Sequence, residues 1–334
     1  MKKLRVFQTV KSKRIVSGFS MKNLGTVLLL LFFLPYFISF LFGNMQQTET
    51  DVRRARAGEL LKSGRMYVSN TTALGKERIP LEVYVADKLS RSMEADFEAE
   101  ALKAQAVLLR SGILAGREEE GFGNEISLAD EDYGSGILTE KMLQATAETS
   151  GVYLSYEGKA IEGAYFAVSN GATRDGAQLG LADHPYLKRV FCNRDFLSSD
   201  YAKTVSFREK EFEQIWEQCA KTRITQDEIL ENEGIQVSQE ECGIRLYLDS
   251  AGYVLYGERN GEFVSGEQIR AAYMLPSSSF HLEAADSQVN FYVRGKGHGM
   301  GMSQFAANEM AKEGEDYTAI LEFFFQDAII SKFE

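Results

Sequence analysis

Chemistry in this 334-residue chain has to come from few reactive side chains. Its three histidines, His184, His281 and His298, and its three cysteines, Cys192, Cys219 and Cys242, form no CxxC pair and no recognisable ligand spacing, so a metal site is disfavoured. His298 stands inside GKGHGMGMSQ (295–304), where glycine neighbours allow close approach of backbone or ligand. That run lacks the full Walker spacing and its Lys-Ser/Thr ending, so it is not a phosphate loop. Ser303 is a natural helix N-cap there, with Gln304 beside it. Glu82, Glu94 and Glu100 are carboxyls near two expected helices. Glu82 suits a helix start, where the macrodipole favours a carboxylate, and Glu100 suits the first turn of the next helix. Tyr165 and Ser169 lie four apart in an expected strand and so share one side of it. Lys103 and Arg110, seven apart, share a face of an alanine-rich helix that also carries Gln105, and a solvated face accounts for them.

The elements that position these residues are legible as periodicity. Residues 65–70 read as a short strand. Pro80 then opens a helix with Leu81, Tyr84, Val85 and Leu89 on one face. A second helix covers 98–115, with Leu102, Ala106, Leu109 and Ile113 at helical spacing, and its alanines permit close approach of a neighbour. A third covers 140–149 and ends at Gly151. The strands VYLSY and AIEGAYFAVS meet at Glu157-Gly158-Lys159, a hairpin turn. Residues 205–232 read as charged helix, 243–265 as strands, 265–274 as helix, 290–295 as strand, and 303–313 and 317–325 as helices. No internal repeat appears, and hairpins interspersed with helices predict an α+β fold rather than a doubly wound parallel sheet.

Leu24 to Gly43 is an uncharged apolar run of twenty residues. At roughly 1.5 Å per residue it spans about 30 Å, a bilayer core. Seven basic residues and no acidic one precede it, which predicts a cytoplasmic basic tail (1–23), one transmembrane helix (24–43), and an extracytoplasmic remainder (44–334). The polar stretch 44–64 reads as a stalk, partly helical from Asp51 to Lys62, and 65–334 as the extracytoplasmic region, with a possible sub-domain at about 196–289. Outside that tail the chain carries 30 basic against 48 acidic residues, a poor balance for binding nucleic acid. An outside compartment permits a disulfide, with Cys219–Cys242 as the pair suggested and three isolated thiols as the alternative.

Four stretches together resemble the SpoIID/LytB family. They are IPLEVYV with EALKAQAVLLRS (79–85 and 100–111), GVYLSYEGKAIEGAYFAVSNGAT (151–173), PYLKRVFCNRD (185–195), and GKGHGMGMSQFAANEMAKEG with YTAILEFFFQDAII (295–330). They follow family order across nearly all of 65–334. The resemblance implies a cell-wall role in engulfment during sporulation. It also implies lytic transglycosylase-like chemistry on peptidoglycan glycan strands stripped of stem peptides, and partnership with a wall amidase. One carboxyl protonates the glycosidic oxygen and then takes the proton of the muramoyl C6 hydroxyl, so that reaction needs no metal or organic cofactor.

The resemblance also exposes a departure. Aligned without gaps on Met93, Phe97 and 100–107, the family's catalytic Glu falls on Ser92, and the Pro after Met93 is replaced by Glu94. A serine hydroxyl cannot act as that acid at neutral pH, and a general acid–base group is worth about 10²–10⁴-fold. On a continuous helix Glu94 points away from Ser92. The resemblance further suggests a sugar groove formed by His298, Gln304, Tyr165, Ser169, Gln105 and Arg110. The leading expectation is thus a membrane-anchored, glycan-binding protein, weak or inactive as an enzyme. Alternatives are an active lytic transglycosylase using Glu94 or another carboxylate, and a non-catalytic structural partner or enhancer of a wall amidase.

Overall fold

A computed structural model describes Phe33, Leu34 and residues 55–333, except 56, 60, 63, 65, 74, 117–124 and 220–234. Two units separate by contact, Met1–Arg53 and Arg54–Glu334. In the first, only Phe33 and Leu34 are described; both are helical and exposed. The expected membrane span otherwise lies outside the described residues, among which no helix is long and apolar enough to cross a membrane.

The second unit is a mixed α+β structure of seven labelled helices and several small sheets. Strands β1 (Tyr67–Thr72), β2 (Gly75–Pro80) and β3 (Glu125–Leu128) form a sheet of order β2-β1-β3. Helix α1 (Leu81–Ser92) follows Pro80 directly, and Pro80, with φ −55°, serves as its N-cap residue. Helix α2 (Ala99–Ala115) is the central element. Its Ala101, Leu102, Ala106 and Leu109 join a core with α1, while Ala104, Val107 and Leu108 join another with the C-terminal elements. Small side chains at these positions let α2 be packed on nearly every side. Helix α3 (Glu140–Glu148) packs on both α1 and α2. Part of the stretch expected as a stalk is helical between 55 and 62, and its Ala57 and Leu61 are buried against Ala86 and Leu143, so those residues are core rather than spacer.

The hairpin turn falls where the sequence puts it, between β4 (Val152–Tyr156) and β5 (Lys159–Ala160), with Glu157 and Gly158 at φ 50° and 79°. The long second strand does not form. β5 has two residues, and the chain crosses α2 at Gly163 before β6 (Tyr165–Phe166). A Cβ on Gly163 would lie 2.1 Å from the Leu108 carbonyl oxygen, so only glycine permits this crossing.

A second core gathers residues 212–293. Around it lie β7 (Ala202–Arg208), α4 (Glu209–Cys219), β8 (Gln236–Val237), β9 (Arg245–Leu248), β10 (Val254–Arg259), β11 (Glu262–Ser265), α5 (Gly266–Ala272), β12 (Phe280–Ala285) and β13 (Gln288–Arg294). Residues 205–208, expected as helix, are strand because alternating Val205 and Phe207 pair along β13 and turn toward this core. The chain then returns through β14 (Met302–Ser303), α6 (Gln304–Lys312), α7 (Tyr317–Phe324) and β15 (Ile329–Lys332), which pairs with β4. β14 runs parallel to β6 and brings the Gly-rich loop beside Tyr165. Gly301, at φ 74°, allows that approach: a Cβ there would sit 2.1 Å from the Ala164 carbonyl oxygen. Cys192, Cys219 and Cys242 are in no disulfide among the described residues, so the suggested Cys219–Cys242 bond is not formed.

Candidate functional site

Ser92 is the last residue of α1. Met93 is extended (φ −143°, ψ 146°) and buried in the α1–α2 core, so the helix stops there and the chain turns outward. The helical argument against Glu94 therefore lapses. Ser92 is half-buried, its hydroxyl turned back to the Leu89 carbonyl at 3.3 Å. Glu94 is exposed.

Three elements converge on this helix end. From β6, Tyr165 brings its hydroxyl near Ser92. Burial raises the Tyr165 pKa above that of an ordinary tyrosine, with nearby Ser92 opposing, so the phenol is neutral near pH 7. From α6, Gln304 donates Nε2–H to the Ser92 carbonyl at 2.7 Å and to Gln105 Oε1 on α2 at 3.3 Å. Gln105 is fully buried, and its own Nε2 has no hydrogen-bond partner. The α6–α2 joint is completed by Asn308 Oδ1, which accepts from the Glu98 N–H at 2.7 Å. One residue before Ser92, Arg91 is held between Asp87 (2.8 Å) and Asp130 (2.6 Å), which fixes the last turn of α1.

His298 adjoins this group and turns Nδ1 to backbone. Nδ1 accepts from the Met300 N–H at 3.1 Å, and the Tyr165 backbone lies close enough to favour the protonated ring. With Nδ1 accepting, Nε2 carries the proton. Burial lowers the His298 pKa, so the ring is neutral at physiological pH. It helps tie the Gly-rich loop to β6, and its half-buried ring stays beside the group at Ser92.

Two other expected groove residues lie elsewhere. Arg110 is fully buried in a two-pronged pair with Glu82, Nε to Oε1 at 3.0 Å, and donates to the Val152 carbonyl at 2.7 Å. Glu82 also accepts from the Gly151 N–H at 3.0 Å. This pair joins the start of α1 to α2 and β4, so Arg110 holds the scaffold and meets no groove. Glu100 likewise has structural partners, Lys103 at 2.6 Å and the Tyr317 N–H at 3.0 Å. Ser169 is fully buried and hydrogen-bonds Asp195, since the strand ends at Phe166 and the side expected from alternation does not apply.

Asp195 escaped the sequence reading. It is completely enclosed, and accepts from Ser169 N–H at 2.9 Å, from the Ser169 hydroxyl, and from Ser303 Oγ at 2.8 Å. It thereby clamps the end of the Gly-rich loop to the segment after β6. Burial pushes its pKa up to about 6, against the pull of the serine bonds. The folded chain thus holds a proton that the unfolded chain releases near pH 4. Stability from this group is full below that pH and falls as pH rises through 6, by ~3 kcal/mol in all. Relative to Asp195→Asn, the wild type should lose stability between pH 4 and 7 and level off above. Urea unfolding at each pH reads this, and a relative gain over that interval would refute it.

The groups that meet around Ser92 are hydroxyls and amides, which donate and accept hydrogen bonds, and the carboxyl of Glu94 stands exposed two residues on. Beside them, a 440 Å³ cavity runs between α2, β3 and the 162–165 segment, with Tyr165 in its wall. Among the described residues no cluster of three or more His, Cys, Asp or Glu could hold a metal ion.

The SpoIID family profile, described as stage II sporulation protein, matches residues 69–156, which include α1, α2 and β4. Over 287 residues the chain is 30% identical to stage II sporulation protein D of Bacillus amyloliquefaciens, covering 79% of this chain and 78% of that protein. Against stage II sporulation protein D of Bacillus subtilis the identity is 29% over 319 residues, with 86% and 85% covered. The amidase enhancer of Bacillus subtilis is 23% identical over 284 residues, 73% of this chain but 40% of the enhancer.

Proposed function

The chain belongs to the SpoIID family, and from that premise we propose that it is a sporulation cell-wall protein that holds peptidoglycan glycan strands at the α1 end without cleaving them. One observation carries the reading. Tyr165, Gln304 and Gln105 stand around position 92, beside a cavity of 440 Å³, yet position 92 supplies a hydroxyl. Binding needs the aromatic face of Tyr165, whose surroundings the buried amides hold; cleavage needs the missing carboxyl. On this reading residues 24–43 anchor the chain in the membrane and 44–334 face the wall. The likeness to an amidase enhancer supports a wall amidase as partner, since amidases produce the stripped strands that this groove would receive.

The full-length chain incubated with stripped glycan strands should retain them on sedimentation and release no 1,6-anhydromuramoyl ends. Tyr165→Ala should weaken retention about tenfold, the loss of one aromatic contact and its hydroxyl bond. Anhydro products from the wild type would overturn the inactive reading. A second reading is favoured by the break of α1 at Ser92, which leaves Glu94 free to turn toward the cavity mouth. Under it the wild type cleaves, and Glu94→Gln abolishes cleavage.

A further inference from the structure

The cavity beside Tyr165 has one feature that glycan binding in general does not explain. Lys88 lines it, one helical turn before Ser92 and on the same face of α1. Its ammonium lies 5.9 Å from the Tyr84 ring and meets no carboxylate among the described residues. Most other cations on α1, α2 and α3 have carboxylate partners, Lys141 donating instead to the Asp96 and Phe97 carbonyls. Arg91 is paired with Asp87 and Asp130, Lys103 with Glu100 and Glu148, and Arg110 with Glu82. Glu162, across the cavity, is exposed and sits 3.3 Å from His184. Much of the remaining wall is apolar, Leu109, Ile113 and Ile126 among it. A half-buried ammonium against such a wall has lost part of its hydration and gains most from an incoming anion.

We propose that this cavity is a subsite for a sugar acid, and that Lys88 binds the free carboxylate of an N-acetylmuramic acid lactyl group. The inference rests on the glycan-binding reading above and sharpens it into a choice between strands. A lactyl group still carrying a stem peptide is an amide, neutral at that carbonyl and extended by the peptide; a stripped one presents an anion. The volume of 440 Å³ lies within the range of about 300–1,000 Å³ typical of small-ligand pockets. Tyr165, which borders the cavity and stands near Ser92, sets the ring of the same sugar next to position 92. Lys88 then acts as the residue that tells amidase-treated glycan from untreated glycan.

Titration calorimetry on the full-length chain can test this with two tetrasaccharides of alternating N-acetylglucosamine and N-acetylmuramic acid. One has free lactyl carboxylates, and in the other each carboxylate is converted to its methylamide. The wild type should bind the acid about tenfold more tightly, a charge-assisted bond partly screened by solvent. Lys88→Gln should bring the acid down to the affinity of the methylamide and leave the methylamide unchanged, and Lys88→Arg should keep most of the preference. Equal affinity of the wild type for both sugars would overturn the role of Lys88 and leave the glycan-binding reading standing, as would a preference that survives Lys88→Gln. Failure to bind either sugar would overturn both.

Discussion

Ser92→Glu should turn the chain from a binder into a glycan-cleaving enzyme, with release of 1,6-anhydromuramoyl ends rising about 10²–10⁴-fold over the Ser92 background. The physical case is that the surroundings of a carboxyl are present without the carboxyl. Gln304 and Gln105 stand beside the backbone of residue 92, and Gln105 Nε2 has a donor to spend and nothing to spend it on. The neutral Tyr165 hydroxyl, which stands near position 92, could donate to the new group. A glutamate at the C-terminal end of α1 meets the negative end of the helix dipole, in a half-buried position. Both effects favour its protonated form and so raise its pKa, which is what a general acid working near neutrality requires. The helix-dipole penalty costs about 0.3–1 kcal/mol of stability, small against the gain in turnover. Mass spectrometry of products from stripped strands reads the outcome. Ser92→Gln, similar in shape but unable to donate a proton as an acid, should stay silent. If Ser92→Glu binds strands as the wild type does and cleaves none, the groove has lost more than its acid.

Much of this site could be read from the sequence because its carriers are local patterns. The alanine and leucine spacing of α2, Pro80 before α1, and Ser303 as the α6 N-cap each declare an element by short-range rules, and the structure has all three. Those elements bring Ser92, Tyr165, Gln304 and Gln105 together across separations as long as 212 residues. What failed were inferences that carried a local rule past its element. Ser169 was assigned a side by strand alternation, but β6 stops at Phe166 and Asp195, 26 residues on, takes the hydroxyl instead. His298 sits among glycines, and the backbone partner of its Nδ1 lies two residues on in the same loop. Helical phase turns Glu94 away only on a continuous helix, and the helix ends at Ser92. Asp195 gave no local signal at all: an aspartate between loop residues reads as solvated, and its burial comes from the packing of Ser169 and Ser303 from either side.

Arg110 is the strongest case of a residue whose role reverses between pattern and structure, and its replacement should be the most costly for stability. The resemblance suggested a groove wall; the structure encloses the guanidinium completely and spends it on Glu82 and the Val152 carbonyl. Arg110→Met leaves the Glu82 carboxylate buried with the Gly151 N–H as a remaining donor, and should cost about 3–5 kcal/mol in urea unfolding. Glu82→Leu should cost a similar amount by stranding the guanidinium. The double variant should recover part of that loss, because two apolar side chains replace two mutually dependent charges. Recovery is limited by the Val152 carbonyl and the Gly151 N–H left unpaired, each costing at least about 1 kcal/mol. A groove role predicts something different: glycan affinity would fall in Arg110→Met even at low temperature, where the variant is still folded, and would not return in the double variant. A scaffold role predicts wild-type affinity in the folded fraction of every variant, with the losses confined to the unfolding midpoint. The pair joins the first turn of α1 to α2 and β4, so its contribution to the site is indirect: it fixes the helix whose far end presents residue 92.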